Sequence, residues 1–231
     1  MVRNTFDFDQ KEKSEFWYLI KDSFGGLDEL SSNERNKIRR AFSVFNFQLI
    51  DNEFLRQEGY PVIKATFDDY KMTDRPMTES VFNEYLDNCS KNNYDYWGVF
   101  DKNKLIGFCA VHLWDDSCEY GVIGVLPEYK HNATYPYYGL FYKMNEYYLG
   151  EKQFKYVSDG SRSITEHSNI QPFLEQNFKF RKAYCKLKIR YKWWFGLIVK
   201  ILYPFRKLIN NINVKAVLNM HAMQTRHSIS H

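Results

Sequence analysis

Apolar and polar residues alternate with period two over three successive stretches in the middle of the chain. Tyr96–Asp101 is a short alternating run closed by the turn Asp101-Lys-Asn103, and Lys104–His112 answers it, so the pair predicts a β-hairpin. Glu119–Val125 predicts a third strand, ended by Leu126-Pro127-Glu128-Tyr129-Lys130. The period then changes. Tyr137, Leu140, Phe141, Met144 and Tyr148 recur at helical spacing and predict a helix over Pro136–Leu149. A strand follows at Phe154–Ser158, then the polar turn Asp159–Ser163. Asn169 reads as the N-cap of a further helix, with Pro172 in its first turn and Phe173 and Leu174 inward, before a last strand that closes at Tyr191.

The N-terminal part reads as mainly helical. Phe16, Leu19, Ile20 and Phe24 fall at helical spacing and Gly25-Gly26 stops them. Ser31 with Glu34 is a capping-box pair opening a second helix, whose inward stripe is Ile38, Ala41, Phe42 and Phe45. A third helix runs over Thr78–Cys89, burying Val81, Phe82, Tyr85 and Leu86. Between them Phe45–Ile50 and Tyr60–Phe67 read as strands, with breaks at Gly59-Tyr60-Pro61 and Arg75-Pro76. No Gly-, Ser- or Pro-rich linker and no repeat divides the chain. The expectation is one domain over 1–192, with an N-terminal helical part (1–90) and a second half (91–192), followed by a tail (193–231). Trp193–Phe205 is the most hydrophobic stretch, flanked or interrupted by Lys192, Lys200, Arg206 and Lys207. A membrane span needs about 20 mostly apolar residues, and Pro204 stops this helix early. Two readings stay open: a helix packed on the domain or across a homodimer, and an interfacial helix on a membrane surface. Gln224–His231 reads as a frayed end.

Composition narrows the class. With 44% hydrophobic and 18% aromatic residues the chain builds a packed core and is not disordered. A net charge of +4 permits an anionic ligand without demanding nucleic acid, and no nucleic-acid motif is present. Cys89, Cys109, Cys118 and Cys185 are widely spaced, which predicts no metal site and reduced thiols in the cytosol. The charged N-terminus carries no signal-peptide core.

The order strand, strand, strand, loop, helix, strand, helix, strand, with Pro127-Glu-Tyr-Lys130 between a strand and a helix, resembles the GNAT acyltransferase superfamily. The resemblance covers about the C-terminal half. It implies an α/β (α+β) fold: a mixed, mostly antiparallel twisted sheet flanked by helices, here with an N-terminal helical elaboration and a C-terminal hydrophobic helix. It also implies an acyl-CoA-dependent N-acyltransferase, with acetyl-CoA as donor and an amine acceptor such as an amino sugar or an aminoacyl group.

The family's pyrophosphate loop has Gln or Arg, two variable residues, Gly, one variable residue, then Gly or Ala. Lys130, Ala133 and Tyr135 fall on those three positions. Val125 and Leu126 stand where a strand N–H would polarise the thioester carbonyl, and Gly121 and Gly124 suit a bulge before it. Glu119 is the first candidate base and His112 the second. Asn169 matches the family's Asn before the second helix, and Glu175 stands where the family carries the Tyr that protonates the leaving thiolate. Arg162 and His167 are candidates for the acceptor side, against a plain solvated turn. Tyr135, Glu175 and Lys179 depart from the pattern and support a second reading, a GNAT-like binding or scaffold protein without CoA chemistry. Either function is compatible with a cytoplasmic protein peripheral on the inner face of the membrane through Trp193–Phe205.

Overall fold

The computed structural model describes residues 1–69, 77–130, 132–163 and 169–225. The Arg75-Pro76 break, His167 and the end beyond Thr225 lie outside them. In chain order the elements are β1 (Val2–Gln10), β2 (Phe16–Lys21), α1 (Ser32–Val44), β3 (Asn46–Ile50), α2 (Asn52–Asp69) and α3 (Glu79–Ser90). Then come β4 (Tyr94–Asp101), β5 (Lys104–Leu113), β6 (Ser117–Val125), the single turn α4 (Pro127–Lys130) and α5 (Pro136–Asn145). The last are β7 (Tyr156–Ser161), α6 (Ile170–Phe178), β8 (Arg181–Arg190), α7 (Trp193–Leu202) and α8 (Ile212–Thr225). This is the expected mixed α/β fold with a mostly antiparallel sheet, helices against it and a C-terminal hydrophobic helix.

The chain forms two compact units. In the larger one, Lys21–Asp159 with Asn177–Lys179, the strand order is β7-β6-β5-β4-β3. Its neighbours pair antiparallel except β6 and β7, which run parallel. Helices cover both faces. Tyr120 points to α5, donating from its hydroxyl to Asn145 at 2.8 Å. On the opposite face Gly124 lies under Thr66 and Ile63 of α2, where an added Cβ would stand 2.8 Å from the Thr66 hydroxyl. The capping box of α1 forms as expected, Glu34 N–H donating to Ser31 Oγ and Ser31 N–H to Glu34 Oε2. Past α5 the chain continues as a π-helical turn over Glu146–Glu151, which holds Tyr148 fully buried. There its hydroxyl donates to Asp95 at 2.9 Å and accepts from the Trp97 indole at 3.1 Å.

Three expectations in this unit and one in the smaller are corrected. Tyr60–Phe67 is not a strand, and Gly59-Tyr60-Pro61 is not a break: both belong to α2, with Pro61 exposed inside the helix. Gly59 is buried where α2 meets α3, and a Cβ there would come within 2.6 Å of Leu55 Cδ1 and 3.0 Å of Phe82. It marks a close helix contact rather than a turn. In the third helix Val81 is exposed, whereas Phe82, Leu86 and Cys89 are buried.

The smaller unit comprises Met1–Ile20, Gly160–Gln176 and Phe180–His231. Here β8 lies between β1 and β2, antiparallel to both. Phe16–Lys21 is therefore a strand and not the first helix. Its run Phe-Trp-Tyr-Leu-Ile is aromatic and β-branched, so pairing with β8 overrides the helical spacing of Phe16, Leu19 and Ile20. Phe16, Cys185, Leu187, Ile189 and Met220 make its core, joined by Tyr18, Tyr191 and Met223.

Candidate functional site

The parallel pairing of β6 with β7 covers only Ser117–Glu119 against Tyr156–Ser158. β6 itself runs on to Val125. On its other side the register with β5 shifts: Val111 opposes Tyr120 while Cys109 opposes Ile123, so Gly121 and Val122 together face Ala110. That is a β-bulge, which leaves one residue out of the ladder. Gly121 is suited to it, since a Cβ there would stand 3.0 Å from the Ala110 carbonyl oxygen. The bulge falls at the first of the two expected glycines.

One row across the sheet carries the titratable groups. Tyr94 pairs with His112, His112 with Glu119, and Glu119 with Ser158. Directly opposed residues stand about 5 Å apart at Cβ, so both candidate bases are neighbours, two positions before the bulge. His112 is stacked on Tyr94 with ring centroids 4.7 Å apart and meets Trp114 edge-on at 4.4 Å. These contacts fix the imidazole. Burial first, then the neighbouring Cys89 and the Glu119 carboxylate, push the Tyr94 phenol above its ordinary range. Tyr85 of α3 brings its hydroxyl within 3.8 Å of the Gly121 Cβ position, and burial pushes that phenol up strongly. Both phenols stay neutral, and Tyr94 does so in the field of the Glu119 carboxylate. The period-two pattern placed Glu119; Tyr94 lies two residues before the strand expected at Tyr96–Asp101, and its membership of the row depends on the register of three strands.

The loop after β6 turns left-handed at two positions. Ala133 has φ 55° and Tyr135 has φ 58°, ψ 47°. This left-handed region costs an L-residue about 1–2 kcal/mol and glycine almost nothing. The two strained residues occupy the two positions at which the resemblance expects glycine or alanine. Thr134 N–H donates to Asn132 Oδ1 at 3.2 Å, and Pro136, buried at the first turn of α5, follows. The Tyr135 ring meets Tyr138 edge-on at 5.8 Å, and Lys37 Nζ lies 4.6 Å from the Tyr138 centroid. Gly139 is packed into Phe47 and Ala41, away from a role in the loop; a Cβ there would lie 2.2 Å from Phe47 Cζ.

Of the other expected donor groups, Leu126 N–H donates to the Ile106 carbonyl at 2.8 Å. The Val125 carbonyl accepts from Thr66 Oγ1 at 3.3 Å. Lys130 Nζ is 2.9 Å from Asp69 Oδ2, and its side chain is largely buried. A CoA molecule fits these residues in part: the bulged strand, the short parallel pairing and the left-handed turn suit a pantetheine arm and a phosphate. Lys130 would have to exchange Asp69 for a phosphate oxygen.

Asn169 and Glu175 come together elsewhere, in the smaller unit. They line a cavity of about 460 Å³ with Trp17, Arg162, Gln171 and Lys182. Glu175 is ion-paired with Lys182 at 3.1 Å, and in that pair its carboxylate only accepts hydrogen bonds. Lys182 also lies 5.2 Å from the Trp17 ring centroid. Arg162 donates to the Glu15 carbonyl oxygen at 2.6 Å and faces its carboxylate at 3.3 Å. The Asn169 carbonyl accepts from Phe173 N–H at 3.0 Å, the first bond of α6.

No protein-family profile and no curated protein matches the sequence. Among solved structures, FemX superposes with a TM-score of 0.56 at 11% identity, covering 72% of this chain and 59% of the FemX chain. The chain thus spans about 59% of FemX. An aminoglycoside acetyltransferase from an uncultured soil metagenomic sample, in complex with trehalose, gives a TM-score of 0.46 at 11% identity over 65% of this chain and 98% of that one. A GNAT family acetyltransferase of Staphylococcus aureus gives 0.35 at 12% identity over 49% and 83%. The element order, the bulged β6 with its short parallel partner, and the FemX likeness agree: the chain carries a divergent form of the GNAT fold.

Proposed function

We propose that the protein is an acyl-CoA-dependent N-acyltransferase acting on an amine such as an amino sugar or an aminoacyl group. One observation carries the reading: Glu119 and His112 are cross-strand partners beside a bulge on β6, whose parallel pairing with β7 covers three residues. Acetyl-CoA, when bound, supplies the activated acyl group as a thioester. Lys130 and the backbone of Asn132–Tyr135 hold the phosphate end, and the strand beyond the bulge orients the arm. The Glu119 carboxylate takes the proton that the acceptor nitrogen must lose, directly or through water, and His112 is the alternative base at the same place. The four cysteines are free and buried, which suits a reducing compartment, and we assign the reaction to the cytoplasm.

Calorimetry with acetyl-CoA and with free CoA tests the reading, and micromolar binding supports it. Glu119→Gln should then slow transfer about 100-fold while leaving CoA affinity intact. Wild-type turnover in that variant removes Glu119 from the mechanism. The second reading, a binding or scaffold protein without CoA chemistry, is favoured by the Lys130–Asp69 ion pair in the loop. Absence of binding at millimolar CoA would select it.

A further inference from the structure

We propose that the outward face of α7 docks on an anionic lipid bilayer. This inference is independent of the acyl-transfer reading. Trp193, Trp194, Leu197, Ile198 and Ile201 are exposed large hydrophobic residues on one helix, and Trp193 is 84% exposed. At 100° per residue they fall within an arc of about 140°. The stripe runs on through Phe205 past the end of the helix. The opposite side holds α7 in place. Val199 is buried, the Phe195 ring packs on Tyr191, and Gly196 admits Tyr191, whose Cβ would stand 3.2 Å from an added Cβ. The stripe is thus the outer face of a helix seated in the unit. Contiguous apolar surface of this kind marks an interaction site.

Charge identifies the occupant. From Gln176 to His231 the sequence has twelve Lys and Arg and no Asp or Glu, and Arg181, Lys182 and Lys186 among them are ion-paired with Asp9, Glu175 and Asp7. The remainder holds twenty Lys and Arg against all twenty-eight acidic residues. Lys192, Lys200 and Lys207 are exposed around the stripe, and Arg206 lies 4.4 Å from the Tyr203 ring centroid. Indole and phenyl rings at headgroup depth, with cations on lipid phosphates, are what an anionic interface accepts. A second copy of the chain would set the same exposed Lys192, Lys200 and Lys207 against themselves, which is repulsive. Among the described residues no helix is long and apolar enough to cross a membrane, so the segment lies in the plane of the surface.

The test is co-sedimentation of the full chain with vesicles of phosphatidylcholine alone and with phosphatidylglycerol added. Binding to the anionic vesicles at least about tenfold stronger than to the neutral ones, weakening as salt rises, is expected. Trp193→Ser with Leu197→Gln and Ile201→Gln, all at exposed positions, should reduce it at least about tenfold without moving the thermal midpoint. Lys192→Gln with Lys200→Gln and Lys207→Gln should remove most of the preference for anionic lipid. Equal partition onto both vesicles, none onto either, or full binding by the apolar triple variant overturns the proposal. So does a concentration-dependent dimer that this variant abolishes, seen in a chain that ignores vesicles.

Discussion

At Ala133 an exposed side chain sits on a backbone with φ 55°. Ala133→Gly relieves that strain and removes no packed side chain, so it should stabilise the fold by about 0.5–1 kcal/mol, net of the entropy that glycine adds to the unfolded chain. Denaturant unfolding reads this directly, and a loss of stability would mean that the turn relaxes. Tyr135 is a different case, because its ring contacts Tyr138 and Lys37 and those contacts would go. Lys130 gives the functional counterpart. Asp69→Asn frees its ammonium from a competing carboxylate, and CoA affinity should rise several-fold, whereas Lys130→Ala should lower it by about 1–2 kcal/mol. Calorimetry on the pair settles whether Lys130 reaches a phosphate; if both variants bind like wild type, the phosphate end lies elsewhere.

Between elements, the contacts that matter most are those without side chains. α5 approaches α1 and β3 through Gly139, so Gly139→Ala forces a Cβ into Phe47 and Ala41 and should cost about 1–3 kcal/mol in chemical denaturation. Gly59 plays the same part between α2 and α3, which explains why local punctuation misled there. A buried Gly followed by an exposed Pro looks like a turn until the partner helix is known. The strands β4, β5 and β6, the capped α1 and the stripe of α5 were legible because each has a strict period and its own end signals. β2 was not, since a six-residue aromatic run satisfies both periods and only β8 decides between them. β1 was not legible either: much of it is exposed and it depends wholly on β8 for its pairing. In the candidate site Glu119 and the loop positions were readable from order and spacing. Tyr94, Tyr85 and the Lys130–Asp69 pair depend on register and on packing between distant segments, which no local pattern encodes.

Over the whole molecule, two buried or paired titrations give stability the same pH dependence. Burial, aided by the charge of Lys200, lowers the pKa of His221 from 6.5. The unfolded chain therefore binds more protons near pH 6, and this contribution is present above pH 6.5 and lost as pH falls through the lowered folded value. Asp9 is held down by its hydrogen bond to Arg181, so its contribution is present above pH 3.8 and lost below it. Urea midpoints should fall between pH 7.5 and 5.5, and His221→Gln should flatten that slope; an unchanged slope excludes His221 as its source. A charge effect of another kind lies in the larger unit, where Lys21, 2% exposed, has Glu29 at 2.8 Å. Glu29→Ala leaves that ammonium without its carboxylate and should cost about 2–4 kcal/mol, less if water reaches the partly open site. The bulge in β6 has a consequence of its own. Gly121 and Gly124 are three residues apart yet face the same helical layer, α3 and α2, so the strand presents its side chains in two phases that join at Val122. Removing one residue there would close the bulge and leave β6 in a single phase, with Ile123 and everything after it still facing the layers they face now. The extra residue thus lengthens the path from Glu119 to the loop by one position without turning any side chain beyond it. A one-residue gap at this point in any alignment would mark a strand without the bulge, not a strand turned over.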